Sequence, residues 1–116
     1  MHELGLICKV IEKVSEICDE QNVEKVASIT LEIGELSGIV PEYMERCFPA
    51  VIYDKPRFLE TKLILDVVEG IAECDKCHTC FNVIKHEGYC PHCNSFDKHV
   101  LSGLDFVVKE IAVPEE

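Results

Sequence analysis

Apolar residues recur at every third or fourth position from about Leu4 to Gln21, and charged residues lie mostly between them. This period is typical of an amphipathic helix that buries one face. The apolar positions are Leu6, Ile7, Val10, Ile11, Val14, Ile17 and Cys18. We therefore predict a first helix over this segment.

A second helix is predicted from Pro41, because proline suits the first position of a helix. Pro49 lies inside the helical pattern, lacks a backbone N–H and clashes with the preceding turn, so a kink or an early end is expected there. The apolar face of this helix is Tyr43, Met44, Cys47, Phe48, Val51 and Ile52. The cysteines of the two helices are interpreted as small buried hydrophobic residues, and these are Cys8, Cys18 and Cys47.

Alternation of apolar and polar residues predicts three strands. The run 27–33 alternates clearly and ends in the glycine-bounded loop 34–38. Two further runs, at about 62–68 and 104–113, alternate more weakly. The predicted fold class is α+β, with a small mixed or antiparallel three-stranded sheet and two helices on one of its faces.

A compositionally different segment separates the last two predicted strands. Residues 73–102 hold five of the eight cysteines and four of the five histidines, with few long aliphatic side chains. Such a segment is better stabilised by a metal ion than by a core of its own. We predict a zinc-ribbon-like module at 71–102, inserted into an α+β domain made of 1–70 and 103–116.

Charge limits the classes of partner. The chain has 116 residues, about one domain, and 22 acidic against 11 basic side chains give a net charge of -11. This surface disfavours nucleic acid and anionic membranes and favours cations, including metal ions. We recognise neither a membrane-spanning run nor a secretory signal. A cytoplasmic protein with reduced cysteines is therefore expected.

Two Cys-x-x-Cys pairs provide the strongest chemical signal. Cys74 and Cys77 are separated by 12 residues from Cys90 and Cys93, which is typical of a four-thiolate zinc site. Four protein ligands leave no open position for water, so the zinc would be structural. Cys80 forms an overlapping pair with Cys77 and is an alternative to Cys74 as a ligand. Iron in a rubredoxin-like site is the competing metal.

The amino-terminal residues Met1, His2 and Glu3 directly precede the first helix. A free Met1 amine, the His2 imidazole and the first backbone nitrogens can surround one ion in a plane. Square-planar nitrogen ligation suits Ni(II) or Cu(II), and the first N–H groups of a helix have no intrahelical acceptor to lose. The alternative is that His2 is an ordinary exposed terminal residue.

Three motifs together identify a family. They are Met1-His2-Glu3 at the start, Ile33-Gly34-Glu35-Leu36-Ser37-Gly38 after the first strand, and Cys74-x-x-Cys77 with Cys90-Pro91-x-Cys93. In this order and at these distances, along essentially the whole chain, the sequence resembles the hydrogenase nickel-incorporation proteins of the HypA type.

This resemblance implies a nickel metallochaperone that matures [NiFe]-hydrogenase and, in some organisms, urease. It implies that Met1, His2 and Glu3 bind Ni(II) and that Cys74, Cys77, Cys90 and Cys93 bind Zn(II). The implied partners are a nickel GTPase of the HypB type and the hydrogenase large subunit. A separate GTPase fits this chain, which has no Gly-x4-Gly-Lys-[Ser/Thr] phosphate loop.

Several alternatives stay open at this stage. An iron electron-transfer protein and a zinc-ribbon adaptor for protein–protein contacts are the competing functions, whereas no motif for an enzyme is recognised. Monomer and domain-swapped homodimer are both compatible with the sequence. A further hypothesis is that the histidines of the cysteine-rich segment sense pH near the zinc, and these are His78, His86, His92 and His99.

Overall fold

A computed structural model describes residues 2–115, and His2 by its backbone alone. The described chain forms two compact units. The first comprises the segments up to Leu31, from Val40 to Asp66 and from Val107 onward, and the second comprises Glu32–Ile39 and Val67–Phe106. The elements in chain order are α1 (His2–Glu20), β1 (Ser28–Gly34), α2 (Pro41–Ile52), a 3₁₀ turn (Pro56–Phe58), β2 (Lys62–Val68), β3 (Ile71–Cys74), β4 (Cys80–Asn82), β5 (Lys98–Ser102) and β6 (Phe106–Ala112).

Both predicted helices are present, and they pack against each other in the first unit. The helical period correctly predicts most of the buried face of α1, although Ile17 is exposed and Leu6 only half-buried. Among the helix cysteines, Cys18 and Cys47 are buried as expected, whereas Cys8 is half-buried. The buried side chains of α1 include Ile7, Val10, Ile11, Val14 and Cys18.

Of the two outcomes expected at Pro49, a kink or an early end, the early end does not occur, because α2 continues to Ile52. Pro49 lies on the exposed side of the helix, while Cys47 and Phe48 before it and Val51 after it are buried. One missing backbone hydrogen bond near a helix end costs less than uncovering these apolar side chains would.

The predicted three-stranded sheet is present in the order β2-β1-β6. Strands β1 and β2 run parallel, because the residue before β1 bonds to the first residue of β2 and the residue after β1 bonds to the last residue of β2. The Lys62 N–H donates to the Ala27 carbonyl at 3.0 Å, and the Glu35 N–H donates to the Val68 carbonyl at 2.8 Å. A parallel pair needs a long crossover connection, and the segment containing α2 supplies it.

Strands β1 and β6 run antiparallel, which makes the sheet mixed. The Ala27 N–H donates to the Ala112 carbonyl at 2.8 Å, and the Gly34 N–H donates to the Asp105 carbonyl at 2.7 Å. The central strand β1 is the most buried of the three, whereas β6 is mostly exposed. The apolar residues that give the central strand its clear alternation are all buried, and these are Ile29, Leu31 and Ile33.

A second three-stranded sheet, in the order β4-β3-β5, was not predicted. Its strands have three to five residues, too few for alternation to be recognised in a sequence. Both pairings are antiparallel. The core beneath this sheet is small and half of it is cysteine, since it consists of Ala72, Cys74, Phe81 and Cys90.

The loop after β1 lies against both ends of the cysteine-rich segment, within the second unit. Oε1 of Glu35 accepts hydrogen bonds from the Gly70 N–H at 3.0 Å and from the Asn82 side-chain amide at 3.1 Å. The Leu36 N–H donates to the Gly103 carbonyl at 2.7 Å. Gly103 has a φ of +92°, a conformation that favours glycine.

Gly34 permits the close approach of these segments. A Cβ at this position would overlap the carbonyl group of Gly103 and lie 2.9 Å from the Asp105 carbonyl oxygen. Backbone atoms cannot move aside as a flexible side chain can. Close packing against Gly103 and Asp105 therefore requires a glycine at position 34.

We expect Gly34→Ala to lower the free energy of unfolding by about 1–3 kcal/mol, the usual cost of overpacking. The matched control is Gly5→Ala in α1, where an added Cβ has nothing within 4 Å. That change should stabilise the protein by up to about 1 kcal/mol, because alanine is the better helix former. Urea unfolding of both metal-loaded variants measures the difference, and equal stability of the two would contradict the packing role of Gly34.

Candidate metal centre

The first cysteine pair lies in a tight turn that follows β3. The Cys74 N–H donates to the Thr79 carbonyl at 2.9 Å, and the His78 N–H donates to the Cys74 carbonyl at 3.0 Å. His78 closes the turn with a φ of 62°. These bonds curl the backbone so that the two cysteine side chains of the pair converge.

The second pair lies in a turn of the same construction. The Cys90 N–H donates to the Ser95 carbonyl at 2.9 Å, the Asn94 N–H donates to the Cys90 carbonyl at 2.9 Å, and Asn94 has a φ of 66°. The His92 N–H also points at the Cys90 sulfur, at 3.4 Å. The two turns therefore repeat one local structure, as the repeated spacing predicts.

The two turns bring four sulfurs to one point. The Sγ atoms of Cys74 and Cys93 are 3.5 Å apart, as are those of Cys77 and Cys90, and all four lie within 4.8 Å of one another. A tetrahedral ion with metal–sulfur bonds of about 2.3 Å would separate its sulfurs by about 3.8 Å. The geometry therefore fits a single four-coordinate metal ion.

The four thiols cannot all ionise easily without a cation. Thr79, whose Oγ1 lies 3.2 Å from the Cys77 sulfur, lowers the pKa of Cys77 to about 5 by hydrogen bonding through its hydroxyl and its backbone N–H. At Cys93 the Ser95 N–H also favours the thiolate, but hydrogen bonding with the Cys74 sulfur, burial and the remaining sulfurs outweigh it and raise the pKa to about 12. A divalent cation removes this conflict by offsetting two negative charges.

Thr79 and Ser95 were not singled out by the sequence analysis. Each follows the second cysteine of its pair by two positions. Each donates its backbone N–H towards that cysteine's sulfur. The sequence did contain a signal for these two residues, because a hydroxyl residue follows the second cysteine in both pairs, as Cys-x-Thr and Cys-x-Ser.

Cys80, the alternative ligand, lies outside the four-sulfur group. It begins β4, is exposed, and pairs with Glu73 across the sheet. The residue before this pairing, Thr79, already points its backbone carbonyl at the Cys74 N–H. The structure thus brings together Cys74, Cys77, Cys90 and Cys93 and leaves Cys80 apart.

The histidines near this centre have different surroundings. Nδ1 of His99 lies 2.8 Å from the Asp75 carboxylate, and this hydrogen bond raises the pKa of His99 above its usual value. The His86 ring meets the Phe81 ring edge-on, with centroids 6.2 Å apart. None of these rings belongs to the four-sulfur group.

At the amino-terminal end, α1 begins at His2. Met1 and the His2 side chain lie outside the described residues, so the predicted nickel ligands are described only at Glu3. The Glu3 side chain is buried, and its Oε2 accepts a hydrogen bond from the Val40 N–H at 3.2 Å, directly before Pro41 opens α2. The carboxylate thus holds the first turn of α1 to the start of α2.

Across residues 2–115, no helix is both long and apolar enough to span a membrane.

Comparison with known proteins gives concordant matches over the whole chain. The family model described as "Hydrogenase/urease nickel incorporation, metallochaperone, hypA" matches residues 1–113. The hydrogenase maturation factor HypA of Geobacter metallireducens is 37% identical, over 97% of this chain and 99% of that protein. The protein of the same name from Geobacter sp. strain M21 is 38% identical, over 96% and 97% respectively.

Solved structures share the fold. The solution structure of the Ni metallochaperone HypA from Helicobacter pylori aligns with a TM-score of 0.66 at 17% identity, covering 98% of each chain. A second solution structure, of HypA protein, aligns with a TM-score of 0.65 at 22% identity and covers 100% of this chain and 98% of that one. With the four-cysteine centre and the full-length family match, the chain belongs to the HypA family of nickel metallochaperones for hydrogenase maturation.

Proposed function

We propose that this chain binds one Ni(II) ion through Met1, His2 and Glu3 and delivers it for the maturation of [NiFe]-hydrogenase. The observation that carries the proposal is the family match over residues 1–113, which includes the Met1-His2-Glu3 motif. Nickel is the cargo in this proposal, and the protein acts by binding and transfer, without catalytic turnover.

The chemistry of the terminal segment supports nickel. The Met1 amine, the His2 imidazole and the backbone nitrogens of His2 and Glu3 form a nitrogen set that suits square-planar Ni(II). Because α1 begins at His2, these N–H groups have no intrahelical acceptors to lose. The Glu3 carboxylate is engaged with the Val40 N–H, so Glu3 is proposed to contribute its backbone nitrogen.

The four-cysteine centre is proposed to hold Zn(II) as a resident structural ion. Cys74, Cys77, Cys90 and Cys93 supply four sulfurs, which fill a tetrahedral zinc completely. Binding of structural zinc contributes about 10 kcal/mol or more to folding at neutral pH, far more than the small core around Cys74 can supply. A rubredoxin-like iron protein is the alternative, and the red colour of oxidised iron–thiolate would reveal it.

The remaining roles are part of the same proposal, and the family match supports them. We propose a nickel domain of residues 1–70 and 103–116 and a zinc module of residues 71–102. The GTPase that accompanies delivery is proposed to be a separate HypB-type protein, the recipient is the hydrogenase large subunit, and the compartment is the cytoplasm. Urease is a second recipient class, named in the description of the matching family.

A Ni(II) titration by calorimetry tests the terminal site. Zinc-loaded, tag-free protein should bind one equivalent of nickel. A variant with one glycine added ahead of Met1 should bind Ni(II) with an affinity lower by about tenfold or more, because the terminal amine moves out of the chelate. His2→Ala should lose it as well, with the zinc content unchanged.

Three results would contradict the terminal site. Equal affinity in the native and the glycine-extended protein would move nickel away from Met1. Absence of nickel binding in both would favour the zinc-ribbon adaptor. A His2→Ala variant that retains its zinc and still supports hydrogenase maturation fully would also favour the adaptor.

Metal content after dialysis tests the cysteine centre. Cys90→Ser should abolish retention of one zinc per chain. Only three thiolates remain in this variant, and the serine hydroxyl at the buried position 90 is a poor zinc ligand. Cys80→Ser is the matched control and should retain one zinc. Lowering the pH should weaken binding, since protons compete for the thiolates. Loss of zinc in both variants alike would place Cys80 in the centre.

A further inference from the structure

The two cysteine turns differ in what their hydroxyl groups contact. Thr79 and Ser95 occupy equivalent positions, each two residues after the second cysteine of its pair. Oγ1 of Thr79 lies 3.2 Å from the sulfur of Cys77. Oγ of Ser95 accepts a hydrogen bond from the Asp97 N–H at 3.1 Å. One hydroxyl therefore faces a sulfur of the four-cysteine centre, whereas the other is bonded to the backbone of its own turn.

The backbone of Thr79 holds its hydroxyl in place. The Thr79 carbonyl accepts a hydrogen bond from the Cys74 N–H at 2.9 Å, and the Thr79 N–H donates towards the Cys77 sulfur. The next residue, Cys80, begins β4 and pairs with Glu73 of β3. Thr79 is thus fixed between a cysteine turn and a strand, so little conformational entropy remains to be lost when its hydroxyl bonds the sulfur.

Metal binding determines the direction of this hydrogen bond. A thiol can donate its proton to the hydroxyl oxygen, but a metal-bound sulfur has no proton to give. The hydroxyl of Thr79 must then be the donor, and the Cys77 sulfur receives both this hydroxyl and the Thr79 N–H. In the second turn, Ser95 contacts the Cys93 sulfur through its backbone N–H. Hydrogen bonds to a charged acceptor are roughly twice as strong as neutral ones, so the difference between the two turns grows when the thiolates form.

We propose that Thr79 is a positioning residue of the four-cysteine centre, whose hydroxyl donates to the metal-bound sulfur of Cys77 and keeps this cysteine on the ion. The inference rests on the proposed occupancy of the centre by Zn(II). Hydrogen bonds to metal ligands fix the orientation of the ligand and tune the metal affinity. A hydrogen bond also draws electron density from the sulfur, which makes the thiolate less nucleophilic.

This unequal support gives the centre an order of opening. Cys93, the second cysteine of the other pair, is exposed, whereas Cys77 is half-buried. An external chelator or electrophile therefore reaches Cys93 more directly, and the Thr79 hydroxyl acts on Cys77 alone of these two. The second turn leaves the ion first, while the first turn still holds it.

Cobalt spectroscopy tests the hydrogen bond, with Co(II) in place of zinc. The thiolate-to-cobalt charge-transfer band moves to lower energy when a sulfur loses a hydrogen bond, because its electrons become easier to remove. Thr79→Val replaces the hydroxyl by a methyl group. This variant should show the shift and bind zinc about tenfold more weakly in competition with a chelator, the scale of a hydrogen bond to a charged group.

Two further variants separate the hydroxyl from a general effect on the turn. Thr79→Ser keeps the donor and should restore both the band position and the zinc affinity. Ser95→Ala is the matched control, because it removes the hydroxyl that bonds Asp97 and keeps the backbone N–H that faces Cys93. Its charge-transfer band should coincide with that of the native protein.

Alkylation of the zinc-loaded protein gives an independent readout of the order of opening. Iodoacetamide is applied in a Cys80→Ser background, which removes an exposed thiol outside the four-sulfur group, and peptide mass spectrometry assigns the modified cysteines. Cys93 should react before Cys77. Adding Thr79→Val should raise the rate of Cys77 relative to that of Cys93 by about tenfold, whereas adding Ser95→Ala should leave this ratio unchanged.

Three results would overturn the role of Thr79. They are an equal band shift in Thr79→Val and Ser95→Ala, a Thr79→Ser variant that behaves like Thr79→Val, and a ratio of Cys77 to Cys93 alkylation that Thr79→Val does not change. Failure of the zinc proposal looks different. A native protein that retains less than one zinc per chain, or that is red with iron, would contradict resident Zn(II) whatever the variants show.

Discussion

The mutual repulsion of four thiolates is the constraint on which the second unit depends. Hydrogen bonds from Thr79 favour the charged form of Cys77, whereas the neighbouring sulfurs oppose ionisation of Cys93. A divalent cation turns this conflict into a cross-link between two turns that are separated by 12 residues in the sequence. The buried cluster beneath the second sheet contains two of these cysteines together with Ala72 and Phe81, so metal binding, more than apolar burial, must hold the cysteine-rich segment in one conformation.

The first unit is stabilised differently, by apolar packing between two helices and a mixed sheet. Its second helix, α2, tolerates an internal proline because buried residues on both sides of Pro49 keep the helix in place. The amino-terminal end of α1 belongs to this unit, and the buried Glu3 carboxylate fixes it to the start of α2.

The loop after β1 gives the motif Ile33–Gly38 a structural meaning. Glu35 accepts hydrogen bonds from Gly70 and Asn82, and Gly34 allows the backbone of Gly103 to approach it closely. The motif thus joins the points where the cysteine-rich segment begins and ends. Gly34 serves close packing and the Glu35 carboxylate serves hydrogen bonding, which explains why this loop carries these particular residues.

Local periodicity was enough to predict both helices, the three strands of the mixed sheet and the converging Cys-x-x-Cys turns, because each depends on residues close together in the chain. The continuation of α2 through Pro49 depended on burial between helices, which no local pattern records. Strands β3, β4 and β5 are too short to show a period, and their register depends on hydrogen bonds between distant segments. Tertiary structure alone therefore excluded Cys80 from the four-sulfur group and aligned it with Glu73 and His99, because cross-strand neighbours are fixed by pairing and not by sequence distance.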